Sequence, residues 1–158
     1  PKSIELVKQI VKPSWITIDI GAHIGIYTLL LSQLSTWVYA FEPSEKLWNL
    51  YKNIYLNKKN NISVFDIALG EKRLDDYEIR PRFIKIDTDG HEYEILKGAE
   101  QTLRQYHPDM LIEIIDKNLK LYGGSEEQLR AYLKEVGYVL TLIENKNYLA
   151  KYEHGESH

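Results

Sequence analysis

The stretch Trp15-Ile16-Thr17-Ile18-Asp19-Ile20-Gly21-Ala22-His23-Ile24-Gly25 and the run to Leu34 decide the fold. Trp15–Ile20 is β-branched and alternating, and reads as a strand. Gly21–Gly25 is a tight turn, and Ile24–Leu34 reads as a buried helix. In open α/β sheets ligands sit at the carboxyl ends of strands, where the strand order reverses. Gly21 and Gly25 remove Cβ atoms where a backbone must approach a ligand. Glu42 follows the second strand, Trp37–Phe41, 21 residues after Gly21. An acid at that place takes the two hydroxyls of a ribose. Either feature alone also reads as a plain turn or a solvated strand end; together they point to a nucleoside ligand.

Outward from this unit, short strands alternate with amphipathic helices. Ile4, Val7, Ile10 and Val11 recur at helical spacing, with Ser3 as a candidate cap and Pro13 as the stop. Ser44 reads as an N-cap ahead of Leu47, Leu50, Tyr51 and Ile54. Ile62–Ile67, Phe83–Asp87 and Met110–Ile115 read as strands, and Glu92–Gln105 as one helix. Ser125-Glu126-Glu127-Gln128 has the capping-box form and opens a helix that Gly137 ends. Tyr138–Ile143 and Tyr148–Tyr152 read as a hairpin turning at Glu144–Asn147. The expected class is α/β: a mostly parallel sheet, helices on both faces, and a C-terminal antiparallel hairpin. Residues 1–152 are expected to form a single domain, with 153–158 as a tail.

Composition narrows the function. The chain of 158 residues is 44% hydrophobic and 27% charged, as globular domains are. It has no Cys, which removes disulfides, thiolate metal sites and thiol nucleophiles. No apolar run reaches the ~18 residues of a membrane span, and PKSIELVKQI lacks the apolar core of a signal peptide. A cytoplasmic location without a membrane partner is expected. The net charge of −3 supplies no basic field, so nucleic acid is not expected as a partner.

The nucleoside is chosen by the sign of one charge. A dinucleotide site carries G-x-G-x-x-G, yet His23 stands where the second glycine would be. Asp19 at the strand end would repel a pyrophosphate and attract a ligand carrying an ammonium and a sulfonium. S-adenosylmethionine is such a ligand.

The segments DIGAHIGIYT (19–28), FEP (41–43), Asn57, IALG (67–70), FIKIDTDGHEYEILKGA (83–99) and LIEI (111–114) resemble the FkbM family of S-adenosylmethionine-dependent methyltransferases. The resemblance runs from about Trp15 to Ile115 and more weakly to Tyr138, and the block 83–99 is its most specific part. It implies a class I Rossmann-like methyltransferase of strand order 3-2-1-4-5-7-6. It also implies methyl transfer to a hydroxyl of a sugar or other small natural-product acceptor. By position, Asp19, Gly21, Ala22, His23 and Gly25 would surround the methionine part of the cofactor. Glu42 would hold the ribose, Pro43 would turn the chain, and Asp66 and Ile67 would lie near the adenine. The family often has Asn where this chain has His23, whose imidazole still offers a hydrogen bond.

Asp87, His91 and Glu92 follow the fourth strand, on the rim of the cofactor turn, and are the candidate catalytic residues. One of them would take the acceptor proton. Asp89 and Glu92 also read as caps of the next helix. No metal ligand is assigned, although Asp87 and Glu113 end adjacent strands with oxygen donors suited to a divalent metal such as Mg²⁺. A Rossmann-like oxidoreductase using NAD, and a non-catalytic cofactor-binding module, are the competing readings.

One connection departs from the family pattern. Only 13 residues, Gly70 to Arg82, join the third strand's IALG exit to the fourth strand. They must cross about three strand spacings, ~14–15 Å, and return along the strands. Either the crossover is stripped down or residues are absent near Glu71–Arg73; absence is the expectation.

Overall fold

The computed structural model describes residues 1–153. The expected tail, apart from Glu153, lies outside them, as do His154 and His158. Seven strands form one sheet in the order β3-β2-β1-β4-β5-β7-β6, the class I order. They are β1 (Ile16–Ile20), β2 (Trp37–Phe41), β3 (Ile62–Phe65), β4 (Phe83–Ile86), β5 (Asp109–Glu113), β6 (Tyr138–Glu144) and β7 (Asn147–Tyr152). β1 to β5 pair in parallel, and β7 pairs antiparallel with both β5 and β6. Strands β1 and β4 are buried on both faces, which explains their near-continuous apolar runs.

Seven helices cover the sheet: α1 (Lys2–Ile10), α2 (Ile26–Leu34), α3 (Leu47–Leu56), α4 (Glu92–Lys97), α5 (Glu100–Tyr106), α6 (Asp116–Leu121) and α7 (Glu126–Glu135). Val7, Val11 and Leu31 pack with Val38, Phe83 and Leu111 on one face. Ile18, Ile20, Ile84 and Ile86 pack with Ile95, Leu103 and Leu133 on the other. Ser125 caps α7 as expected, its Oγ accepting from Gln128 N at 3.1 Å.

The local differences have physical causes. Ser3 lies inside α1 rather than capping it; its N–H and hydroxyl donate to Glu144, at 3.1 and 2.7 Å. Ser44 sits in a turn before α3, accepting from Lys46 N at 3.2 Å. The helix expected over 92–105 is two helices, because another segment takes the backbone groups at the break. Gly98 gives its carbonyl to Asp75 N at 3.1 Å. Asp75 in turn accepts from Gln101 N, Thr102 N and Thr102 Oγ1, at 3.0, 2.9 and 2.7 Å.

Asp75 belongs to the short crossover, which runs unbroken. The expected gap near Glu71–Arg73 is replaced by a bridge between Leu69 and Lys72 and a bond from Gly70 N to Lys72 O of 3.0 Å. A 3-10 turn follows at Leu74–Tyr77. Leu74 and Ile79 join the core, and Tyr77 sets its ring edge against Phe41 and Phe65, 5.3 and 5.4 Å between centroids. Three side chains of the crossover thus cover sheet surface that a crossover helix would otherwise cover. Asp75→Ala is expected to cost about 2 kcal/mol of stability, from three lost hydrogen bonds to a carboxylate set against water replacing some of them. Urea denaturation checks it, and an unchanged midpoint would remove Asp75 as the tie.

Candidate functional site

At the carboxyl ends of β1, β2, β4 and β5 lies a cavity of about 630 Å³. Its position is set by a close approach of two loops. Gly21, at φ +81°, leaves β1 so near β4 that a Cβ there would lie 1.8 Å from the Asp87 carbonyl oxygen. Asp87 N donates to Ile20 O at 3.0 Å, and Gly21 N and Ala22 N both donate to Phe41 O. Strands one, two and four are therefore tied at the rim by backbone alone.

Asp19 is fully buried and lines the cavity. Its Oδ2 accepts from Thr28 Oγ1 at 2.7 Å, while its Oδ1 has no partner among the described residues. Burial pushes its carboxyl up from the ordinary range; Lys85 and the Thr28 hydrogen bond pull it back. Across the cavity Glu42, 5% exposed, accepts from His23 N and Ser44 N, at 2.7 and 2.9 Å. Each of its oxygens keeps a lone pair for a further donor.

Gly21, Ala22, His23, Pro43, Ile67, Asp87 and His91 also line the cavity. His23 enters the site through its backbone: at φ +56° its N–H reaches Glu42. Asn and His are among the residues that tolerate that region, which gives both a place in this turn.

Three expected residues lie elsewhere. Gly25, at φ +99°, starts α2 and packs against α3: a Cβ there would be 2.7 Å from Leu50 Cδ1. Asp66 follows the end of β3, exposed and outside the cavity lining. Glu92 is buried, 3% exposed, and braces the 88–90 turn, accepting from Thr88 N at 2.8 Å and Gly90 N at 2.9 Å. Those bonds occupy both its oxygens, and Glu92 is outside the cavity lining.

Sequence reading missed Lys85 and gave Glu113 only a metal role. Both line the cavity. The signal was the alternation in Phe83–Asp87: Lys85 and Asp87 are two apart and share a face, and a lysine inside an apolar strand needs partners. Lys85 Nζ is 3.5 Å from Asp87 Oδ2 and 4.4 Å from the centre of the Tyr27 ring. A hydrogen bond shared with Asp87, and then burial, push the Glu113 carboxyl up to about 8. Glu113 therefore keeps its proton near neutral pH. Asp87, Asp89 and Glu113 each bring an oxygen within 4.8 Å of the others, close enough for a cation, and Lys85 already supplies one positive charge beside them. His91 stacks on Tyr122, 3.8 Å between ring centres, with Nδ1 3.7 Å from Glu94 Oε2.

The lining thus has five carboxyl groups, of Asp19, Glu42, Asp87, Asp89 and Glu113, against the one ammonium of Lys85. Opposite them stand apolar Ile24, Ile26, Ile67 and Leu69. Such a charge balance suits a ligand with a cationic end, and Asp19 Oδ1 is a buried oxygen without a partner among the described residues.

Residues 67–140 match the model of the methyltransferase FkbM domain, which bears out the resemblance carried by the block 83–99. No curated protein sequence matches the chain. Among solved structures, methyltransferase FkbM from Methylobacillus flagellatus is 21% identical, with a TM-score of 0.73 over 94% of this chain and 50% of that one. This chain spans half the length of that relative. SMU.1697c of Streptococcus mutans, solved in complex with SAH, is 17% identical, with a TM-score of 0.70 over 94% of this chain and 93% of that one. An rRNA methylase from Streptococcus thermophilus is 17% identical, with a TM-score of 0.64 over 96% and 95%. These likenesses establish the methyltransferase fold. Because an rRNA methylase shares it, the expectation that excluded nucleic acid as a partner is without support. No helix among the described residues is long and apolar enough to cross a membrane.

The reassignment of Glu92 is testable by stability. Glu92→Gln is expected to lower it by about 1–3 kcal/mol, since an amide cannot accept from both N–H groups. Chemical denaturation measures this, and an undiminished midpoint would return Glu92 to the candidates for proton transfer.

Proposed function

We propose that this FkbM-type methyltransferase domain binds S-adenosylmethionine and methylates a hydroxyl oxygen on a sugar or other small natural-product acceptor. The observation that carries the reading is the unpartnered Oδ1 of buried Asp19, set in a cavity whose charged lining residues are five acids and one lysine. A pyrophosphate there would meet several carboxylates without a compensating basic group beyond Lys85, which counts against NAD. S-adenosylmethionine supplies, when bound, an electrophilic methyl group on a positively charged sulfur.

The chain's own residues would do the rest. Asp19 would take the methionine ammonium on its free oxygen, and Glu42 would accept from the ribose hydroxyls. Gly21 and Ala22 leave room for the ligand to approach the loop backbone. Asp87, with Lys85 and Glu113 beside it, would accept the acceptor's proton. The apolar wall of Ile24, Ile26, Ile67 and Leu69 would exclude water from the donor.

Two measurements test this. Calorimetry with S-adenosylmethionine, S-adenosylhomocysteine and NADH should show binding of the first two only. Glu42→Ala should weaken that binding by about 1–3 kcal/mol, the cost of leaving ribose hydroxyls unpaired. Preferential binding of NADH would replace the reading with a dehydrogenase. Asp87→Asn, assayed on a panel of hydroxylated acceptors, should reduce turnover about 100-fold while donor affinity changes much less. An equal loss of both would make Asp87 a binding residue.

A further inference from the structure

Lys85 is not accounted for by the fold. A lysine whose side chain is 7% exposed sits within a central strand, where a long charged side chain is uncommon without partners. Its ammonium has three donors. Its closest contacts among the described residues are a long ion pair, 3.5 Å to Asp87 Oδ2, and the face of Tyr27 at 4.4 Å, and its charge also acts on Asp19 and Glu113. No hydrogen bond from Lys85 Nζ to another described residue accompanies these contacts, and Lys85 lines the cavity.

Its neighbour across the ladder is Asp19. The two are register partners of the parallel β1–β4 pair, so their side chains leave the same face of the sheet side by side. Both line the cavity, both are buried, and both have capacity to spare: Oδ1 on Asp19 and N–H on Lys85. A carboxylate and an ammonium on adjacent strands, each unsatisfied toward one space, form the complement of a ligand that carries an ammonium and a carboxylate on one carbon.

We infer that Asp19 and Lys85 together read the α-amino-acid end of the methyl donor, Asp19 taking its ammonium and Lys85 its carboxylate. This rests on the S-adenosylmethionine reading above and adds to it the recognition of the zwitterion. It also explains why a site so rich in carboxyl groups can hold a ligand that brings one more: Lys85 is the only ammonium among the lining residues. Tyr27 steadies that ammonium from α2, and its own hydroxyl is fixed by a 3.0 Å bond to Ser3 Oγ.

The test needs no acceptor. Decarboxylated S-adenosylmethionine keeps the sulfonium and the ammonium and lacks only the carboxylate. The unaltered protein should bind S-adenosylmethionine about 10- to 100-fold more tightly than the decarboxylated form, as a charge-assisted hydrogen bond requires. In Lys85→Met that preference should fall to about twofold or less, because only the intact donor loses a partner. Lys85→Gln, which keeps a neutral donor and much of the side-chain volume, should give an intermediate ratio and guards against misfolding of the Met variant. Near-ultraviolet circular dichroism establishes that each variant is folded. A preference unchanged in both variants, or equal loss of both ligands, would overturn the assignment and leave Lys85 as a partner of Asp87 alone. Failure of the unaltered protein to bind S-adenosylmethionine would overturn the methyl-donor reading itself, a different result from a preserved ratio.

Discussion

The site depends on how closely the ends of β1 and β4 approach. Gly21 has no Cβ, and the Asp87 carbonyl occupies the space one would need. The Asp87 N–H then closes onto Ile20 O, and the first two N–H groups of the turn close onto Phe41 O. Three strand ends are fixed by backbone groups, so the side chains that leave them have little freedom over where they go. Asp19, Lys85 and Asp87 reach one cavity because the ladder places them there. A larger residue at position 21 would have to part the strands before any charge could be rearranged.

Once the strand ends are fixed, electrostatics follows. Each carboxyl in the cavity has a different means of tolerating its neighbours. Glu42 is satisfied by two backbone N–H groups. Asp19 leans on the Thr28 hydroxyl and on Lys85. Glu113 holds a proton and shares it with Asp87. The acids are thus not interchangeable: each meets a different set of partners, and Asp87 sits between the Lys85 ammonium and the Glu113 carboxyl. Glu92 shows the contrast. Equally buried, it spends both oxygens on the 88–90 turn and keeps Asp87 and Asp89 in place from below.

Much of the fold was legible because its signals are local. Strand–turn–helix alternation, the glycines of the first turn and the capping box at Ser125 each work within a few residues. What escaped was set by distant partners. Nothing in Glu92–Gln105 announces a break, because the break is made by Asp75 arriving from the crossover. Ser3 looks like a cap until Glu144, far along the chain, takes its hydroxyl. At the site, Glu42 and Asp19 were readable from strand ends. Gly25 falls outside the cavity lining and packs against Leu50, because a turn glycine serves packing as readily as a ligand. Asp66 is exposed outside the lining while the next residue, Ile67, is part of it, a difference of side-chain direction that a chain past the end of β3 does not announce. Lys85 went unread because a charge within an apolar strand acquires meaning only when its register partner is known to be Asp19.

That pairing bears on stability as well as recognition. A carboxylate oxygen with no donor and an ammonium with spare donors, both in the interior, each cost the free protein part of their lost hydration. A sequence selected for the fold alone would place apolar residues at both positions, as it does at Ile18 and Ile84 on the opposite face of the same two strands. The cost is accepted where a ligand will later supply the missing partners, and binding then returns it as added stability of the loaded state. Both residues sit on the β1–β4 seam, the same seam that the glycine at position 21 holds shut.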